Sequence, residues 1–142
     1  MAAEAKLVLG DWSVLERDAL SVRYDVFVTE QGVPLELERD DMDPLCIHAV
    51  AYDEAGAPAA TGRLLPDGHI GRMAVQRHAR GTGVGRQVLE ALMARGIADG
   101  HKQLVLSAQT HAQGFYARSG FKPRGEITMD AGIPHIEMVR DC

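Results

Sequence analysis

Cysteine is scarce in this chain of 142 residues: only Cys46 and Cys142 are present. Two thiols allow one intramolecular pair and no disulfide framework, and they stand in no redox or metal spacing, which suits a reduced, cytoplasmic protein. Basic residues are not in excess either. With 15 Lys and Arg against 20 Asp and Glu the formal net charge is -5, so the clustered cations that hold a phosphate backbone are missing and nucleic acid is not the expected partner. No apolar run approaches the roughly 20 residues of a membrane span, and no basic segment followed by an apolar core opens the chain; neither a membrane nor secretion is expected. The six histidines are scattered without an H-E-x-x-H, and Cys46-x-His48 alone cannot complete a tetrahedral site, so no metal is expected. Repeats, linkers and low-complexity tracts are also missing.

What is present is the composition of an ordinary globular protein, 46% hydrophobic and 25% charged, in a length that fits one domain over residues 1–142. Leu7-Val8-Leu9, ending at Gly10, reads as a first strand. Ser13, with Glu16 three residues on, has the pattern of a capping box opening a helix. Leu15, Ala19, Leu20 and Val22 give that helix an apolar side, residues 23–28 continue it, and Gly32 and Pro34 stop it. The following segment, 36–43, is acidic at five of eight positions. It reads either as a solvated loop or as the rim of a pocket that attracts a cationic amine.

Residues 47–52, 59–65 and those from His69 onward read as strands joined by the short turns 53–58 and 66–68, which makes an antiparallel meander. A helix after Gly85 carries Val88, Leu89, Leu92, Met93 and Ile97 as an apolar stripe and is capped at Gly100. Leu104-Val105-Leu106 is a short apolar strand placed to lie parallel to its neighbour. A short helix over about 111–118 ends at Gly120, and residues 124–129 and 135–139, joined by 130–134, close the chain as a hairpin.

The stretch between the meander and the long helix is the most informative. Glycines at 81, 83 and 85 let the backbone approach a ligand closely and leave the first amides of the helix pointing into the loop, where an anion is favoured and Arg80 adds a formal charge. Spacing excludes two phosphate loops. A Walker loop needs G-x-x-x-x-G-K-[ST], and no Lys follows; a dinucleotide fingerprint needs G-x-G-x-x-G, and here the run is G-x-G-x-G with Arg86 next.

The remaining pattern, Arg80-x-x-Gly83-x-Gly85 between a strand and a helix, resembles the pyrophosphate-binding motif of the GNAT superfamily, the acyl-coenzyme A dependent N-acyltransferases. Some 35 residues later, Phe115-Tyr116-x-x-x-Gly120-Phe121 resembles a second motif of that family. Arg23, Val26-Phe27-Val28, Glu30-Gln31, Val33-Pro34, Ala108-Gln109 and Gly132-Ile133-Pro134-His135 further resemble its ElaA-like branch. The resemblance implies a mixed α/β GNAT fold. In it the N-terminal meander leads to a parallel strand pair splayed around the cofactor, with helices on both faces and a C-terminal hairpin.

It also implies an N-acetyltransferase that moves the acetyl group of acetyl-CoA to a primary amine of a small-molecule acceptor by direct attack in a ternary complex, releasing CoA. By the family pattern Arg80, Gly81, Thr82, Gly83, Val84 and Gly85 hold the pyrophosphate. Backbone groups of Met73, Ala74 and Val75 run beside the pantetheine arm, and Gln109, Phe115 and Tyr116 complete the cofactor site. Asn is common in relatives where Gln109 stands here. The Val75 N–H is the expected oxyanion donor and Tyr116 the expected general acid. Glu30, Glu38, His48, His111 and His135 are the candidate bases, with Glu38, His48 and His135 foremost. Arg23, Arg63 and Arg72 would suit an anionic acceptor, as the 36–43 segment would suit a cationic one. A homodimer is common in the superfamily. A non-catalytic coenzyme A binding or sensing module, or a protein N-acetyltransferase, are the alternatives.

Overall fold

The computed structural model describes residues 6–38 and 40–142. Short-range alternation builds its first half. Strand β1 (Lys6–Asp11) pairs with β2 (Ile47–Tyr52), β2 with β3 (Pro58–Leu64) and β3 with β4 (His69–Val75), all antiparallel. Strand β5 (Gln103–Gln109) lies parallel to β4, and β7 (Ile133–Asp141) joins its other edge, with β6 (Lys122–Asp130) outermost. The seven-stranded order is β1-β2-β3-β4-β5-β7-β6, the mixed sheet that the family resemblance implies.

Both faces of the sheet are covered because the central strands are apolar on both sides. On β2, Ala49 and Ala51 pack into the cluster that holds Val88, Leu89, Leu92 and Met93 of α3 (Val84–Ala98). Between them Val50 turns to the opposite face, against Trp12, Leu15, Ala19 and Leu20 of α1 (Trp12–Arg23). Glycine is what lets β3 and α3 approach: a Cβ on Gly62 would stand 2.4 Å from Met73 Sδ, 2.9 Å from Leu92 and 3.2 Å from Val88.

Several boundaries differ from the sequence reading. Helix α1 starts at Trp12 with Asp11 at the N-cap position and no side-chain cap bond, so Ser13 lies inside the first turn and does not cap it. Burial of Trp12 between His48, at 4.6 Å between ring centroids, and the Arg23 guanidinium, at 5.5 Å from its ring, fixes that start. Helix α3 ends its stripe at buried Gly96, which packs on Leu104, and Ile97 is 46% exposed. Strands β6 and β7 extend through the expected loop to a two-residue turn at Ala131 and Gly132, both at positive φ, the geometry whose twist matches a hairpin. The short helix splits into a 3-10 turn (Thr110–Ala112) and α4 (Gln113–Ala117).

Gly62→Ala inserts a methyl group against three neighbours at once, two of them fully buried. We expect it to destabilise the protein by about 1–3 kcal/mol, read as a fall of several degrees in Tm.

Candidate active site

The parallel pairing of β4 with β5 is confined to two register pairs, His69 with Val105 and Ile70 with Leu106. Beyond Ile70 the two strands part. On its other edge β4 stays with β3, but with one residue too many: Thr61 faces Ala74 and Arg63 faces Gly71, so Gly62 alone opposes both Arg72 and Met73. This β-bulge carries Arg72 at φ +50, and bulges bend a strand and re-aim its groups. Past the bulge Gln76 donates its N–H to the Ala59 carbonyl, 2.8 Å. Alternation along the strand therefore turns the peptide groups of Val75 away from β3 and into the gap.

The gap opens into a cleft of about 950 Å³. Arg80, immediately before the glycine loop, lines it. Gly81 and Gly83 take φ of +79 and +87, and a Cβ on either would meet nothing within 4 Å, so both face open space. The first bond within α3 runs from Gln87 N–H to the Gly83 carbonyl, 3.1 Å. The amides of Val84, Gly85 and Arg86 thus have no partner inside the helix, and the loop presents donors and a helix dipole to an anion. Thr82 folds the loop by donating its hydroxyl to the Ala79 carbonyl, 2.5 Å. Gly85 sits so close to the end of β4 that a Cβ would be 2.9 Å from Val75 Cγ2 and 3.6 Å from the Phe115 ring. Open space, unpaired amides and helix polarity fit a pyrophosphate.

Arg80 stands at that mouth with its guanidinium already engaged. It binds both Glu30 carboxylate oxygens, at 2.7 and 2.8 Å, and gives Nε–H to the Val75 carbonyl, 3.1 Å. The hydrogen bond from Arg80 holds the Glu30 carboxyl below the usual carboxylate range. Glu30 ends a run of π-type turns, Tyr24–Glu30, that continues α1. The wider turn brings Val26, Phe27, Glu30 and Gln31 to the cleft together. Gln31 exchanges two amide hydrogen bonds with Gln109 at the end of β5, 2.9 and 3.2 Å, and the Gln109 carbonyl oxygen also receives His111 Nε2 at 2.7 Å. The end of α1 therefore straps the splay from the β4 side to the β5 side.

On the β5 side α4 sets Phe115 and Tyr116 edge to face, ring centroids 5.0 Å apart. Tyr116 is 9% exposed and lines the cleft, and burial pushes its pKa up to about 12. The far end of the cleft is walled by Val33, Leu37 and the hairpin tip, Ala131 and Ile133.

A family model for the acetyltransferase (GNAT) domain matches residues 19–142. The chain belongs to this GNAT family. It is 38% identical over 129 residues to the uncharacterized N-acetyltransferase YjcF of Bacillus subtilis, covering 88% of this chain and 91% of that protein. Among solved structures it is similar to an acyl-CoA N-acyltransferase of Pseudomonas aeruginosa, at 34% identity and TM-score 0.83 over 96% of this chain and 99% of that one. It is also similar to Escherichia coli ElaA, at 28% identity and TM-score 0.86 over 96% and 99%.

Within this GNAT domain, two of the three foremost candidate bases are placed against that role. His48 lies outside the cleft. It is 1% exposed, packed on Trp12, with Nε2 2.8 Å from the Asp43 carbonyl, and burial lowers its pKa. Glu38 touches the cleft, but it is 2% exposed and its carboxylate is bound by Arg23 Nε. Taking a proton there would leave Arg23 buried without that partner. His135 does line the cleft, with Nδ1 2.7 Å from the Ile133 carbonyl. A carbonyl only accepts, so the ring proton is on Nδ1 and Nε2 is the basic nitrogen.

The acidic segment is part solvated and part turned inward. Glu38 closes α2 (Leu35–Glu38) and Asp43 opens a 3-10 turn, and both point inward. Arg23 spans Glu38 and both Asp43 oxygens, the latter at 3.0 and 3.2 Å. Arg63 spans Asp43 at 2.7 Å and Asp40 at 3.0 Å, and Arg72 reaches Asp40 at 3.3 Å. Burial works against ionised Asp43, but Arg23 and Arg63 outweigh it and hold its carboxyl below the usual range. Three carboxylates and three guanidinium groups are thus paired with one another, a network that neither charge-based reading of the acceptor anticipates. Glu36 and Asp41 remain exposed.

Gly85→Ala would press on Val75 and on the start of α3 together. We expect coenzyme A affinity to fall about tenfold, since displacements well under 1 Å at such contacts are costly; calorimetric titration measures it.

Proposed function

We propose that the protein transfers the acetyl group of acetyl-CoA to a primary amine of a small-molecule acceptor by direct attack in a ternary complex. What carries this reading is that Val75, with its N–H turned inward, and the buried Tyr116 line one cleft, whose wall includes Arg80 at the start of the glycine loop. Acetyl-CoA would supply an acyl group on a good leaving thiol. The amides of residues 81–85 would hold its pyrophosphate, with Arg80 fixing the loop mouth through Glu30 and Val75 more than adding free charge. Met73, Ala74 and Val75 would offer backbone groups beside the pantetheine, and Phe115 and Gln109 would wall it.

The Val75 N–H then faces the thioester oxygen, where negative charge develops, and a preorganised donor there is worth about a hundredfold or more in rate. The amine must lose a proton to react. His135 Nε2, through one water, accepts that proton, while Tyr116 donates to the departing sulfur. The apolar wall of Leu37 and Ile133 and the paired charges favour an acceptor recognised by shape and hydrogen bonding.

A panel of amines with acetyl-CoA, followed by release of free thiol and by mass of the acylated product, tests the reaction. Acylation of an amine is expected. Coenzyme A binding with no amine acetylated would instead assign a binding module. Tyr116→Phe should lower kcat about a hundredfold while leaving coenzyme A affinity within twofold. Because burial raises the Tyr116 hydroxyl to about 12, it stays a neutral donor throughout neutral and mildly alkaline solution. The profile of kcat/KM should therefore show no alkaline limb from this group below pH ~10, where an ordinary tyrosine would begin to ionise. His135→Gln should lower kcat/KM about a hundredfold.

A further inference from the structure

Among the described residues, two non-glycine residues have left-handed backbone, Ala131 and Arg72. Ala131 sits in a two-residue hairpin turn that requires it. Arg72 lies within a strand, where a non-glycine L residue at φ +50 is strained and persists only if its surroundings enforce it. Two contacts do so from opposite faces of the sheet. On the α3 face Met73 packs into the space left by Gly62. On the α1 face the Arg72 guanidinium reaches Asp40 Oδ2 at 3.3 Å, the same oxygen that receives Arg63 at 3.0 Å. Asp40 is itself anchored: its other oxygen accepts the Met42 N–H at 2.6 Å, and its carbonyl accepts the Asp43 N–H at 3.1 Å.

We propose that Asp40 is a positioning residue for the reaction: by gripping Arg72 it keeps the β4 bulge in its left-handed form and so aims the Val75 N–H into the cleft. The inference rests on the reading of Val75 as oxyanion donor. It also gives the acidic segment a task, which is to tie the loop before β2 to the one strand whose distortion opens the site. Arg72 acts here through its backbone, and its side chain is the handle.

Glycine adopts φ +50 without support, whereas alanine removes the charge and keeps the strain. The test compares Asp40→Asn, Arg72→Gly, Arg72→Ala and the two double variants. Three quantities are measured: thiol release from acetyl-CoA with the best amine of the panel, coenzyme A affinity, and the Cα and Cβ chemical shifts of residue 72, which report left-handed backbone. Asp40→Asn should lower kcat about tenfold, leave coenzyme A affinity within twofold, and move residue 72 out of the left-handed range. Adding Arg72→Gly should restore kcat to within about threefold of the unsubstituted protein, and adding Arg72→Ala should not.

Equal recovery by both double variants would overturn the proposal, because charge balance would then suffice. Left-handed shifts retained at residue 72 in Asp40→Asn would overturn it too. Should Asp40→Asn not fold, the two single variants decide: Arg72→Gly should exceed Arg72→Ala in kcat by about tenfold, and equality rejects the idea. Should no amine be acetylated by the unsubstituted protein, the proposed reaction fails and the residue 72 shifts alone decide the positioning.

Discussion

The separation of β4 from β5 after Ile70 is the constraint on which the rest of the structure depends. A parallel pair that stayed zipped would consume the Val75 peptide groups in a ladder and leave no cleft. Here the ladder stops after two pairs, and the unpaired edges would be costly if they were buried without partners. The chain meets part of that demand itself, since Arg80 Nε–H takes the Val75 carbonyl, while the side chains of Gln31 and Gln109 bridge the opening. The remaining edge of β4 is left for a ligand.

Holding two strands apart inside a packed sheet needs braces on both faces. On one, α3 presses its first turn against Val75 through the missing Cβ of Gly85. On the other, the six-membered network of Arg23, Arg63, Arg72, Glu38, Asp40 and Asp43 fills the space under the bulge. Such a network is a poor source of stability, because desolvating the charges offsets most of their attraction, whereas removing one member leaves a buried charge unpaired. Its value here is geometric. Guanidinium forks fix direction as well as distance, and these three join α1, the 36–43 segment, β3 and β4.

The parts legible in the sequence were those governed by local backbone physics. Glycines at 81, 83 and 85 announce a close-approach loop, Gly100 a helix end, and the 66–68 turn a hairpin, because each depends on its neighbours alone. The charge partners were not legible. Arg23, Glu38 and Asp43 look like separate surface features, and only the fold brings together residues 15 and 20 positions apart. The same is true of His48, whose strand position predicted access to the cleft, while the parity of β2 turned it toward Trp12. Ser13 carried a local capping signal that lost to tertiary packing, since burying Trp12 set the helix start two residues earlier. The positive φ of Arg72 left no trace in composition; a glycine there would have flagged the bulge.

Burial of Tyr116 shapes what this group can contribute. At a pKa of about 12 its complete transfer of a proton to a free thiolate, whose ordinary pKa is about 8.5, is uphill by about 4–5 kcal/mol. In the proposed reaction the hydroxyl would therefore act as a fixed neutral hydrogen-bond donor while charge accumulates on sulfur, with the final proton drawn from solvent as the thiol leaves. Phe115 and Phe121 lie edge-on to its ring, 5.0 and 6.3 Å between centroids, so they hold the ring while offering the oxygen no competing acceptor. A more exposed tyrosine would be the stronger acid but would hold its ring less firmly. In the proposed reaction the apolar cage would weaken the acid and fix its direction, a trade that suits a group meeting charge only in the transition state.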